Sequence, residues 1–313
     1  MYKLTPTDPI KWLLEGDISI RFQTQRDLLE NKDESLQDRI KKEGWAYQIL
    51  SRRNKSGHWG EQFYQPKWIS THYTILDLRN LWIAPSNSEV RDSIHLVLDA
   101  GKSIDGGIPL GPSTQHYSDV CVNAMFLNYA SYFQIEENKL TSLIDAILNE
   151  IMPDGAFNCR SARSGAVHSS LHTTISVLEG LFEFVKAGFH HREDEISNAI
   201  NSSVEFILLH KLYMSDHTGA TIHKGFLKLS YPSRWKYDIL RALDFFQYAE
   251  IPWDERMRPA LDILLSKQNK HGTWNMQAAH PGQVHIKMEQ AGKASRINTL
   301  RVLRVLKQYQ KNI

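Results

Sequence analysis

Histidine is the most conspicuous reactive residue in this chain, with 14 among 313 residues. His72 and His172 each follow a serine by two places, in Ser70-Thr71-His72-Tyr73 and Ser170-Leu171-His172-Thr173. An imidazole titrates near neutrality, so either could exchange a proton with a substrate. With Asp119, they are the candidate catalytic residues. Arg163, Lys224, Arg234 and Arg296 form a second set, placed in or beside expected loops. Helix N-termini nearby would add unpaired N–H groups, so the expected ligand carries phosphate, diphosphate or carboxylate. Tyr73, Phe126, Tyr129 and Trp235 could hold a hydrocarbon, face a carbocation or form a sugar platform. Asp105, Asp154 and Asp216 precede turn glycines. They suit turn capping, and two of them could flank a glycosidic bond. Neither Gly-x-Ser-x-Gly nor a phosphate-cradling glycine loop occurs.

These residues need helices to position them. Glycine turns recur at Gly57-His58-Trp59, Asp105-Gly106-Gly107, Asp154-Gly155-Ala156-Phe157, Asp216-His217-Thr218-Gly219 and His271-Gly272-Thr273-Trp274. A spacing of roughly 50 residues marks stacked two-helix units. Apolar periodicity predicts the pairs 70–83 with 88–100, 118–134 with 139–151, 170–187 with 194–212, and 237–249 with 254–267. The first helix of each pair is apolar on several sides and belongs inside, whereas the second is one-sided and belongs outside. Links from inner to outer helices are short, and the return links are long and rich in Gly, His and Arg. A closed or nearly closed α/α toroid of about five to six helix pairs follows. A last helix over 295–309 is expected beside the N-terminal one, residues 1–55 packing into the ring. The chain reads as a single domain over 1–313, with a linear helical solenoid as the rival fold. A longer third helix is predicted from Ser35 through Gly44 to Leu50, and a local hairpin over Ala220–Leu229.

Composition narrows the classes. Thirty-seven basic residues against 35 acidic ones leave a formal charge of +2, which argues against a dedicated nucleic-acid binder. Cys121 and Cys159 are too few for a disulfide framework and suggest a reducing compartment. The sequence shows no signal peptide and no run long enough to span a membrane, so cytoplasmic localisation is the expectation.

Gln268-Asn269-Lys270-His271-Gly272-Thr273-Trp274 resembles the QW repeat of squalene–hopene cyclases, and Arg53 to Trp59 is a weaker copy. Trp12 to Phe22 and Leu171 to Gly180 resemble segments of small bacterial toroid proteins grouped with squalene cyclases and prenyltransferases. The Asp-x-Asp-Asp and Asp-Asp-x-x-Asp motifs of terpene chemistry are absent, so polycyclisation is not expected. Asp119-Val120-Cys121 is similar to the Asp-x-Cys of protein prenyltransferase β-subunits. That resemblance implies zinc held by Asp119, Cys121 and His172, and a separate protein partner. Metal-free alternatives are a cap at Asp119 and a small buried thiol at Cys121.

The leading expectation is an isoprenoid or prenyl diphosphate in a central pocket. Aromatic rings would hold its hydrocarbon, and Arg163, Lys224, Arg234 and Arg296 its diphosphate. A glycan-active hydrolase or lyase, and a non-enzymatic binding or assembly protein, are the alternatives.

Overall fold

The structure, a computed structural model, describes residues 8–111, 116–160 and 164–312. It is all-α, and helix follows helix in the packed pairs that an α/α toroid requires. The span 1–313, expected as one domain, divides into two compact units. One comprises Met1–Ser51, Leu81–Ile83 and Leu208–Ile313, the other Arg52–Asn80 and Ala84–Ile207.

The second unit holds α5 (Thr71–Asn80), α6 (Ser88–Asp99), α7 (Val120–Tyr132), α8 (Glu137–Leu148) and α9 (Leu171–Lys186). Most of α10 (Glu193–Leu209) belongs to it as well. Nearly every residue of α7 is buried, including Asn123, Asn128 and Ser131, whereas α6 and α8 bury one apolar side. The inner and outer characters read from the sequence therefore hold. Helix α9 packs closely along α7. Gly180 is the reason, since a Cβ there would fall onto the Ala124 carbonyl oxygen and lie 3.1 Å from its carbon. Arg79 of α5 pairs with the buried Glu183 of α9 at 2.5 Å, tying the third inner helix to the other two.

One turn is repeated at the seams. Asn54, Ser103, Met152 and Asn269 each receive an N–H bond from the glycine three residues on, at 2.8–3.0 Å. Gly57, Gly106, Gly155 and Gly272 have φ between +77° and +86°, a region that penalises any Cβ. Two residues later stand Trp59, Ile108, Phe157 and Trp274, all fully buried. Their backbone N–H groups bond to Thr71 Oγ1, Asn123 Oδ1, Thr174 Oγ1 and Thr299 Oγ1 at 2.9–3.3 Å. Each of those acceptors lies in the first turn of the next inner helix. The seam therefore fixes which inner-helix residue points where.

In the first unit, α1 (Pro9–Leu14), α2 (Ile18–Leu28), α3 (Glu34–Ile40) and α4 (Gly44–Leu50) precede α11 (Ile239–Tyr248), α12 (Arg258–Ser266) and α13 (Arg296–Tyr309). Helix α13 packs on α1 and α2, with Ile297 and Leu300 against Leu13 and Ile20. Arg304 adds a bond to Asp27 at 3.0 Å. The single helix predicted from Ser35 to Leu50 is instead two, because Gly44 takes φ +74° and Asp33, not Ser35, caps the first. Ala220–Leu229 carries a short 3₁₀ turn at Lys224–Leu227 in place of the predicted hairpin.

Candidate functional site

The second unit gathers reactive side chains at the N-terminal ends of α5, α7 and α9. The seam register explains how. His72 directly follows seam residue Thr71, so it shares the inward position of Ala124 and Ile175, and all three are fully buried. His172 lies two places before Thr174, the position of Cys121 and Ile69, and these three are half-exposed. The parallel read between His72 and His172 from their serines is therefore wrong. One is interior and the other lies at the rim.

His72 sits in a shell of rings. Phe63, Tyr64, Tyr73 and Tyr129 surround it with centroids 4.7–5.7 Å away. Its Nδ1 shares a 3.2 Å hydrogen bond with the Tyr129 hydroxyl, while Nε2 is buried without a partner. Burial, assisted by the charge of Lys67, pushes the imidazole pKa down to about 3. Burial likewise raises the Tyr129 phenol well above its ordinary value. Both groups are therefore neutral at physiological pH.

This has a measurable cost in acid. Between the unfolded pKa of 6.5 and the folded value of about 3, only the unfolded chain takes up the proton. The contribution of His72 is thus fully present above pH 6.5 and is lost as pH falls towards 3. Its slope is about 1.4 kcal/mol per pH unit. Urea unfolding across that range should show a His72→Gln variant losing stability less steeply than wild type, by about one proton. Equal slopes would contradict the buried neutral imidazole.

Lys67 stands at the edge of this shell. It is exposed, and its Nζ lies 4.8 Å from the Trp68 ring centroid and 5.7 Å from that of Tyr64. Its charge is felt at both His72 and Cys121, yet among the described residues it has no carboxylate partner. Residues 63–68 were missed in the sequence. Their signal is an aromatic-rich run, Phe63-Tyr64-Gln65-Pro66-Lys67-Trp68, inside a long return loop.

Cys121 opens α7 beside Cys159, which reaches it from the loop before α9. The Cys121 N–H donates to Cys159 Sγ at 3.0 Å. The neighbouring Cys159 thiol, together with burial, raises the Cys121 thiol well above its usual value. The Cys121 side chain in turn lowers the Cys159 thiol. Asp119 is buried and makes no side-chain cap to α7. Among the described residues, no three His, Cys, Asp or Glu side chains come together as metal ligands would. Asp119, Cys121 and His172 are not gathered into the zinc set implied by the prenyltransferase resemblance.

Of the expected anion cradle, Lys224, Arg234 and Arg296 belong to the first unit. Arg163 lies outside the described residues. In the first unit, Arg234 is buried and donates to the Gln283 carbonyl at 3.0 Å. Arg296 donates to the Trp12 carbonyl at 3.1 Å and lies over the Trp12 ring. Both guanidinium groups are thus engaged by the fold, and Lys224 is an exposed side chain on the 3₁₀ turn. Two of the three turn aspartates act as caps, whereas Asp216 lies 3.6 Å from His210 and 3.8 Å from His217. Asp105 accepts from the Gly107 and Ser118 N–H groups at 3.1 and 2.8 Å, and Asp154 from that of Ser169 at 2.8 Å.

No family model matches the sequence, and no curated protein matches it. Among solved structures the chain is similar to a polysaccharide lyase, with TM-score 0.51 and 13% identity over 100% of this chain and 92% of that one. At this identity the likeness concerns fold alone. It nevertheless overturns the leading expectation, because the toroid-like architecture that suggested cyclases and prenyltransferases is shared with a protein of glycan chemistry. The isoprenoid, terpenoid-cyclase and prenyltransferase readings are withdrawn. The diphosphate role given to Arg163, Lys224, Arg234 and Arg296 goes with them. Among the described residues, no helix is long and apolar enough to cross a membrane.

Proposed function

We propose that this chain binds an acidic polysaccharide and cleaves it by elimination at the N-terminal ends of α5, α7 and α9. The observation that carries the reading is the neutral His72 imidazole, bonded to Tyr129 and bare at Nε2, beside the unpaired cation of Lys67. The fold likeness to a polysaccharide lyase supports the same class.

Elimination beside a sugar carboxylate needs a cation to draw charge into that carboxylate and a base for the proton on the adjacent carbon. Lys67 supplies the first. His72 supplies the second in the tautomer whose Nδ1–H donates to the Tyr129 oxygen, leaving a lone pair on Nε2. The electrons of the broken C–H bond form a C=C bond, and the glycosidic oxygen leaves as a hydroxyl with a proton from water. The hydroxide left behind takes the proton from His72 to regenerate water and the neutral imidazole. Trp68 and Tyr64 offer faces on which a sugar ring can rest. His72 is fully buried under Phe63 and Tyr64, so entry requires those two rings to draw back. A hydrolase needs a pair of free carboxylates. Asp105 and Asp154 are occupied as turn caps, which favours elimination.

The test is incubation with uronate-bearing polysaccharides alongside neutral glucans. Ultraviolet absorbance and mass spectrometry would detect the unsaturated sugar end. Cleavage confined to acidic chains is expected. Failure to cleave or retain any of them would end the proposal.

A further inference from the structure

Cys121 and Cys159 are 38 residues apart in sequence and adjacent in space. Because Cys159 Sγ is 3.0 Å from the Cys121 nitrogen, and an N–Cα bond is about 1.46 Å, it lies within about 4.5 Å of the Cys121 Cα. Its own Cα is about 2.8 Å from Sγ, so the two Cα atoms are separated by at most about 7.3 Å, and all but the last fraction of that range falls within the span a disulfide bridges. Both residues are partly buried and both thiols are free.

The surroundings distinguish the two sulfurs. Cys159 Sγ accepts from the Cys121 N–H in the first turn of α7, a helix of 13 residues. A backbone donor at a helix start stabilises a thiolate on Cys159. The neighbouring Cys159 and burial raise the Cys121 thiol, which keeps its proton. The arrangement is that of an attacking thiol with its resolving partner in place.

We infer that Cys121 and Cys159 are a site of reversible oxidation, at which hydrogen peroxide converts the two neighbouring thiols into a disulfide joining the start of α7 to the loop before α9. The Cys159 thiolate attacks one peroxide oxygen, breaking the O–O bond and leaving hydroxide, which becomes water with the proton given up by Cys159. The product is a sulfenic acid. The Cys121 sulfur then attacks the Cys159 sulfur, forming the S–S bond. The departing hydroxyl takes the Cys121 proton and leaves as a second water. Two thiols and one peroxide thus give one disulfide and two waters. The inference stands on the thiol geometry and does not depend on the glycan reading.

Native protein treated with peroxide should lose both alkylatable thiols and yield one cross-linked peptide pair containing Cys121 and Cys159. Dithiothreitol should restore both thiols. In Cys121→Ser, Cys159 should be trapped as a sulfenic acid by dimedone, with no cross-link. Because the wild-type map needs no variant to fold, it decides the matter. Persistent alkylation of both thiols after peroxide, or a Cys159 sulfinic acid without cross-link, would overturn the inference.

Discussion

A His72→Gln variant is expected to lose about 10²–10⁴-fold in the rate of acidic-polysaccharide cleavage, the range associated with removing a positioned base. Glutamine can keep a hydrogen bond to Tyr129 but cannot take the proton. A loss in kcat with KM little changed is therefore expected, since the sugar still meets Lys67, Trp68 and Tyr64. Lys67→Ala should behave differently, raising KM as well, because its charge engages the carboxylate before and during the reaction. Unfolding measured at neutral pH on the same samples separates chemistry from folding. Cleavage by His72→Gln at the wild-type rate would remove His72 from the mechanism.

The second large effect concerns packing. Gly180→Val should destabilise the protein by about 3 kcal/mol or more, at the upper end of overpacking costs. The clash falls on the Ala124 backbone, with the carbonyl carbon at 3.1 Å and Cα at 3.2 Å from the added Cβ, so no rotamer of a neighbour relieves it. Helix α9 would have to move off α7, disturbing Arg79 and Glu183 as well. Urea midpoints would report the loss, with Gly111→Val as control because a Cβ there meets nothing within 4 Å. An unchanged midpoint for Gly180→Val would contradict the close helix approach.

The fold was largely readable because its determinants are local. The turn glycines, the buried large apolar residue two places later and the alternation of short and long links all sit in contiguous sequence. Gly44 shows the limit, since its positive φ splits a helix whose apolar stripe runs on regardless. The candidate site was less legible. His72 and Tyr129 were both visible as residues, but their pairing joins α5 to α7 across 57 positions. No spacing rule encodes that contact. Lys67 carried no motif at all, and its interest comes from having rings and no carboxylate as neighbours. The zinc expectation failed for a related reason. Asp119 and Cys121 are close in sequence, but α7 turns them into different surroundings, one buried and the other beside Cys159.

The repeated seam also supplies a coordinate system for variation. Counting from the seam residues Thr71, Asn123 and Thr174, one step forward reaches the sealed interior at His72, Ala124 and Ile175. Two steps back reaches the rim at Ile69, Cys121 and His172. Chemistry at the rim can be exchanged by single substitutions that leave the packed layers intact. A reactive group in the interior must be accommodated by its neighbours. His72 is the one residue of its layer that departs from an aliphatic side chain, and four aromatic rings are arranged around that departure.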